Sequence, residues 1–224
     1  MKKRILGRGL LLLMATAMTG ACRSEHGEEK PREPAPASTK APASEQPSEL
    51  HGVGGVEGVQ PSYDQARQPA KVIAALGIAP GQRIADVGAG LGYFTPRLSD
   101  AVGPTGQVVA TDIDDEALKR LRARMSDRKN VVVRKVAPDE PGLEPGAYDL
   151  ILLSEVDHFF PDRAAFLKKL RAALTPNGRI AVTHLRAMRP PLVAAAQAAG
   201  YAVVSEYDGL PEHYLLFLQP ASSQ

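Results

Sequence analysis

The stretch "RIADVGAGLGYFTPRL", residues 83–98, decides how the chain folds. Its opening "RIADV" has the length and bulk of a buried strand. The run ends at three glycines set at every second position, Gly88, Gly90 and Gly92. "YFTPRLSDAV" then reads as a helix, with Pro96 near the first turn, where a missing N–H costs little. A glycine loop between a strand and a helix lets a ligand approach the backbone, because glycine carries no β-carbon. The helix N-terminus behind the loop supplies unpaired N–H groups. A dinucleotide site asks for G-x-G-x-x-G, but the position it needs is Tyr93, so the spacing here is G-x-G-x-G.

On either side of this stretch, strand-like and helix-like segments alternate. Before it, "PAKVIAAL" (69–76) has helical spacing and Gly77 is a C-terminal stop. After it come a strand "QVVATD", an amphipathic helix "DDEALKRLRARM" with acidic residues at its start, and a strand "NVVVRKV". "YDLILLS" (148–154) is continuously apolar, as a strand covered on both faces must be. A helix "RAAFLKKLRAAL" follows and is ended by "TPNG"; then come a strand "RIAVTHL" and a helix "PLVAAAQAAG". Two last strands, "YAVVSEY" and "HYLLFLQ", are joined by a connection too short for a helical crossover, so they pair antiparallel. The alternation predicts an α/β fold: three layers around a mostly parallel seven-stranded sheet closed by an antiparallel pair.

Composition narrows the function classes. A net charge of +2 gives no bulk reason to expect nucleic-acid binding. One cysteine, Cys22, excludes an intrachain disulfide, and the five histidines show no metal-ligand spacing, so no metal is expected. The N-terminus has a basic head (Lys2, Lys3, Arg4, Arg8), an apolar stretch over 9–18, and small residues before Cys22. This layout of residues 1–21 is that of a secretory signal peptide, and the cysteine after it resembles a lipobox, with Thr19 where leucine is usual. Residues 22–60 are rich in Pro, Glu, Ser and Ala, too poor in apolar side chains to offset ordering entropy, and read as a disordered linker. The folded domain is expected over 61–220. Cys22 is then a lipidation candidate in a membrane-anchored lipoprotein of the bacterial cell envelope; a misassigned start would instead leave a cytoplasmic protein.

The wording "DVGAGLGYF" resembles motif I of the class I S-adenosylmethionine-dependent methyltransferases, and "ARQPAKVIAALGIAPGQRIADVGAGLGYF" with the late "DGLPEHYLLF" resembles a little-characterised bacterial group of small-molecule type. The likeness continues in order through "VVATDID", "YDLILLSEVDHFF" and "LRAALTPNGRIAV", over roughly 62–219. It implies a Rossmann-like methyltransferase fold, S-adenosyl-L-methionine as cofactor, and a small-molecule methyl acceptor. By the same resemblance, Gly88, Ala89, Gly90 and Gly92 wrap the methionine half of the cofactor, and Asp86 reaches its amino group. Asp112 holds the ribose hydroxyls and Ile113 flanks the adenine. Ser154 and Glu155 line the place where the methyl group is presented, and Glu155 is, with His158, a catalytic candidate. Relatives put an acidic or amide residue against the adenine amino group; here Asp139 or Glu140, between two prolines, stands at that place. His158 and His184 follow the fourth and fifth strands, at the edge where open α/β sheets bind ligands, and are the candidate bases. Tyr63, before the first helix, is a candidate lid residue; His213 and Tyr214 read as strand-edge residues. The competing readings are an exported, membrane-tethered ligand-binding module without catalysis and, opposed by Tyr93, a nicotinamide oxidoreductase.

Overall fold

The computed structural model describes residues 61–221. The expected signal peptide, Cys22 and the linker lie outside the described residues. No helix among the described residues is long and apolar enough to cross a membrane.

Strands β1 (Arg83–Val87), β2 (Gln107–Asp112), β3 (Val131–Lys135), β4 (Tyr148–Ser154), β5 (Leu174–Leu185), β6 (Tyr201–Tyr207) and β7 (His213–Pro220) form one sheet in the order β3-β2-β1-β4-β5-β7-β6. Strands β1 to β5 run parallel, and β7 pairs antiparallel with both β5 and β6. The chain order reverses beside β1, so the loops after β1 and β4 part there and leave a crevice at the carboxyl ends of the strands.

The helices are α1 (Pro61–Arg67), α2 (Pro69–Leu76), α3 (Thr95–Val102), α4 (Asp115–Arg124), α5 (Arg163–Ala173) and α6 (Arg189–Ala198). Side chains of a strand alternate between faces, and the central strands bury both. In β4, Leu150 and Leu152 join Val72, Leu76, Leu98 and Val102 under α2 and α3, while Ile151 and Leu153 join Leu167, Leu170 and Leu192 under α5 and α6. Burial of each such leucine contributes about 1.5–3 kcal/mol, so β4 anchors both layers. Helix α4 is capped by Asp114, whose carboxylate accepts the Ala117 N–H at 2.7 Å.

Three expectations are corrected. "TPNG" does not simply close α5: residues 174–178 already run in β5, and pairing slips from Tyr148↔Leu174 to Leu150↔Arg179. Pro176 has no N–H for a regular ladder, and a Cβ on Gly178 would stand 2.6 Å from the Tyr148 carbonyl oxygen, so the extra residues fold out as a bulge. Residues 61–67 form a helix of their own, where the sequence showed only a lead-in segment. Finally, His213 and Tyr214 are not at a sheet edge. Strand β7 lies inside the sheet, with Tyr214 opposite His184 and His213 opposite Leu185.

Candidate active site

The glycine loop is fixed by its own backbone. Gly88 and Ala89 both donate to the Thr111 carbonyl, at 2.8 and 3.0 Å, tying the loop to β2. Two positions explain the glycines physically. Gly88 has φ +70°, and a Cβ there would lie 2.2 Å from Cγ2 of Val156. Gly90 has φ +53°, but its missing Cβ would meet no atom within 4 Å. The first glycine therefore serves close packing against the loop after β4, and the second leaves the backbone bare toward the crevice.

That crevice is a cavity of about 620 Å³, within the range of small-molecule and cofactor sites. Its walls include Asp86, residues 88–91, Asp112, Ile113, Ser154, Glu155 and His158. Asp112 does not cap α4. Its Oδ2 accepts the Gly90 N–H at 2.7 Å, and its Oδ1 accepts those of Ile113 and Asp114 at 2.7 and 3.0 Å. A carboxylate has about four acceptor positions, so one remains for a hydroxyl. Ile113 stands half exposed on the same wall, an apolar surface for a planar ring.

Asp86 is buried and accepts the Thr95 hydroxyl at 2.7 Å. Burial pushes its carboxyl up to about 6 against the effect of that hydrogen bond, and the nearby Asp112 charge adds to the rise. A buried carboxylate beside a bare loop is suited to a cationic ligand group. Ser154 Oγ is buried with no hydrogen-bond partner, and so is Thr111 Oγ1. Both residues line the cavity, and such orphaned polar atoms have hydrogen bonds to offer a ligand. Glu140 lines the cavity, whereas Asp139 is not among the lining residues; Lys169 donates to the Glu140 carboxylate at 2.5 Å and to the Asp139 carbonyl oxygen at 2.6 Å.

The other end of the cavity is built from side chains of distant segments. Glu155 adopts φ +52°, a conformation that non-glycine residues rarely hold without a compensating role. Its carboxylate pairs with Arg67 of α1 and lies 2.7 Å from His213 Nε2 of β7. Burial raises its pKa, but the hydrogen bond from His213 and the charge of Arg67 outweigh that and hold it below the usual carboxylate value. Arg67 also lies over the Tyr63 ring, 4.1 Å from its centroid, and Tyr93 donates a hydrogen bond to Asp64. Helix α1 is thereby fastened over the cavity, and Tyr63 is part of its wall. The sequence reading did not single out Arg67, Val156 or the pairing of His213. Each lies far along the chain from its partner and carries no local motif.

His184 Nε2 lies 2.9 Å from His158 Nδ1. No ligand spacing was visible in the sequence, yet the fold brings ligand atoms of Asp157, His158 and His184 within 4.8 Å of one another.

Comparison with known proteins gives the class first. Residues 85–180 match a methyltransferase-domain family. A solved S-adenosylmethionine-dependent methyltransferase from Aquifex aeolicus superposes with a TM-score of 0.67 at 22% identity, over 72% of this chain and 94% of that one. The fold is the Rossmann-like fold of the class I S-adenosylmethionine-dependent methyltransferases. More particular is the likeness to the ubiquinone/menaquinone biosynthesis C-methyltransferases UbiE. The protein from Burkholderia vietnamiensis (strain G4 / LMG 22486) is 31% identical over 134 residues, 59% of this chain and 55% of that one. The protein from Ectopseudomonas mendocina (strain ymp) is 29% identical over 125 residues, 54% of this chain and 49% of that one. The chain thus spans about half the length of these curated relatives.

Proposed function

We propose that this chain is an S-adenosylmethionine-dependent methyltransferase acting on a small-molecule acceptor. The observation that carries the reading is the bare backbone at Gly90 beside the Asp112 carboxylate, both facing one cavity of about 620 Å³. S-adenosylmethionine supplies a methyl group already activated as a sulfonium. The chain's own residues have to bind, orient and exclude water. In this reading Gly88, Ala89 and Gly90 hold the methionine half, with the Asp86 carboxylate on the amino group; Gly92, expected to join them, is not on the cavity wall, and its missing Cβ makes room for Leu121. Asp112 offers its remaining acceptor position to a ribose hydroxyl, and Ile113 covers the adenine. Ser154, Glu155 and His158 line the acceptor end. The likeness to UbiE supports methyl transfer and leaves the acceptor atom to experiment.

The test is calorimetric titration of the chain with S-adenosylhomocysteine, beside Asp112→Ala. Losing charge-assisted hydrogen bonds to the ribose is expected to weaken binding by about 1.5–3 kcal/mol, roughly 10- to 150-fold. A folded wild-type chain that binds nothing would refute the reading. We further propose that Cys22 is lipidated and tethers the domain to a membrane. Metabolic labelling with a fatty acid should mark the wild type and leave Cys22→Ser unmarked; an unmarked wild type would refute the anchor.

A further inference from the structure

The histidine pair at the acceptor end has its hydrogens fixed by the backbone. His184 Nδ1 accepts the Leu185 N–H at 2.7 Å. A backbone N–H only donates, so this ring nitrogen is bare. The hydrogen of the neutral ring therefore sits on Nε2. Burial, reinforced by the nearby His158, keeps His184 neutral by pushing its pKa down to about 4, and the opposing effect of Glu155 does not restore it. His184 Nε2 thus donates to His158 Nδ1 across 2.9 Å. His158 Nδ1 is then an acceptor, and the hydrogen of the His158 ring lies on its other nitrogen, Nε2. That ring is exposed, lines the cavity, and leans on Phe159 with centroids 3.9 Å apart.

Two alternatives fail on the same geometry. A metal ion among Asp157, His158 and His184 would need the lone pair of His184 Nε2, where the hydrogen is. Asp157 is moreover ion-paired with Arg163 at 3.0 Å. A general base at His158 would need a bare Nε2, and the relay from His184 puts a hydrogen there. Glu155 is no substitute, because Arg67 and His213 already occupy its carboxylate.

We propose that His184 locks His158 as a hydrogen-bond donor, so that the pocket recognises acceptors through an anionic or electron-rich oxygen, such as that of a phenolate or enolate. The inference rests on the methyl-transfer reading of the cavity. An acceptor that enters as its anion has no proton to give up: its electron pair forms the new bond to the methyl carbon, the carbon–sulfur pair returns to sulfur, and the two opposite charges cancel. His158 keeps its hydrogen throughout, and His184 acts on the acceptor only through it, as a positioning residue.

A long-range proton–nitrogen correlation spectrum of the full chain, with isotope-labelled histidines near neutral pH, reads the tautomers directly. Expected are a bare Nδ1 and a protonated Nε2 on both His184 and His158. In His184→Leu the His158 ring should become a mixture of tautomers, and His184→Gln, which keeps a donor near the Nε2 position, should restore the single form. A bare His158 Nε2 in the wild type would overturn the proposal. The recognition half is read with para-nitrophenol as the probe, on chain saturated with S-adenosylhomocysteine. The phenolate should bind to the wild type and His158→Gln about 10- to 150-fold more tightly than to His158→Leu, as a hydrogen bond to a charged oxygen implies. Equal binding by all three, or none, would overturn it. The same samples separate this failure from that of the broader reading. A chain with the expected tautomers that does not bind S-adenosylhomocysteine refutes methyl transfer and leaves the histidine pair standing.

Discussion

The two ends of the cavity are made differently. The end at β1 and β2 is made of backbone: N–H groups of residues 88–90 and 113–114, held by one carboxylate, Asp112, and one carbonyl, Thr111. The end at β4 is made of side chains: Arg67, Glu155 and His158 line it, and the buried His184 and His213 stand behind them, the five arriving from four parts of the chain. Backbone geometry tolerates few changes in sequence and presents one fixed surface, which suits a ligand shared by many enzymes. A side-chain cluster can be exchanged residue by residue, which suits the part of a site that must differ between acceptors.

The sharpest way to break this contrast is at Gly88. Gly88→Ala puts a methyl group into the Val156 side chain and an alanine at φ +70°. A loss of about 3–5 kcal/mol of stability is expected, measured by chemical denaturation. At Gly90 the strain of φ +53° remains but no clash does, so Gly90→Ala should cost only about 1–2 kcal/mol of stability while obstructing the ligand surface. Equal destabilisation at both positions would dissolve the distinction between a packing glycine and a binding glycine.

The next effect is on pH dependence. In the proposed reading the cofactor's cationic amino group meets the ionised form of Asp86, and burial has raised that carboxyl to about 6. Affinity for S-adenosylhomocysteine should therefore hold above that pH and fall as pH drops through it, by about tenfold per unit at most. Asp86→Asn should bind weakly at all pH values with a flat profile. It should also be more stable than the wild type near neutral pH, because the desolvated charge is gone and the Thr95 hydrogen bond can persist. The smallest effect belongs to the side-chain end. Arg67→Met removes one of the two partners of Glu155 and should cost about 1–2 kcal/mol in denaturation. Calorimetry should find S-adenosylhomocysteine affinity unchanged within about threefold, well under 1.4 kcal/mol, since Arg67 pairs with Glu155 and not with the glycine loop.

The same contrast explains what could be read without coordinates. The β1 loop, Asp86, Asp112 and Ile113 stand within thirty positions of one another, and strand period, glycine spacing and the acid at the end of β2 all speak locally. The seven strands and the antiparallel ending were legible for the same reason. The insertion of β7 between β5 and β6 is a matter of topology, and it moved His213 from an apparent edge to the side of Glu155. The bulge at 175–178 was masked by turn-forming residues that the pairing with Tyr148 turned into strand. The tautomers of His158 and His184 depend on one backbone N–H, that of Leu185, whose direction no sequence pattern carries.

Hydrogen exchange of the full chain, with and without S-adenosylhomocysteine, tests the two-ended account most directly. Slowed exchange should appear in the amides of residues 88–92 and 112–114, while those of residues 186 and 213, at the start of the side-chain end, stay as they were. Protection confined to residues 186–213, or none anywhere in a folded chain, would contradict the assignment of the glycine loop as the cofactor surface.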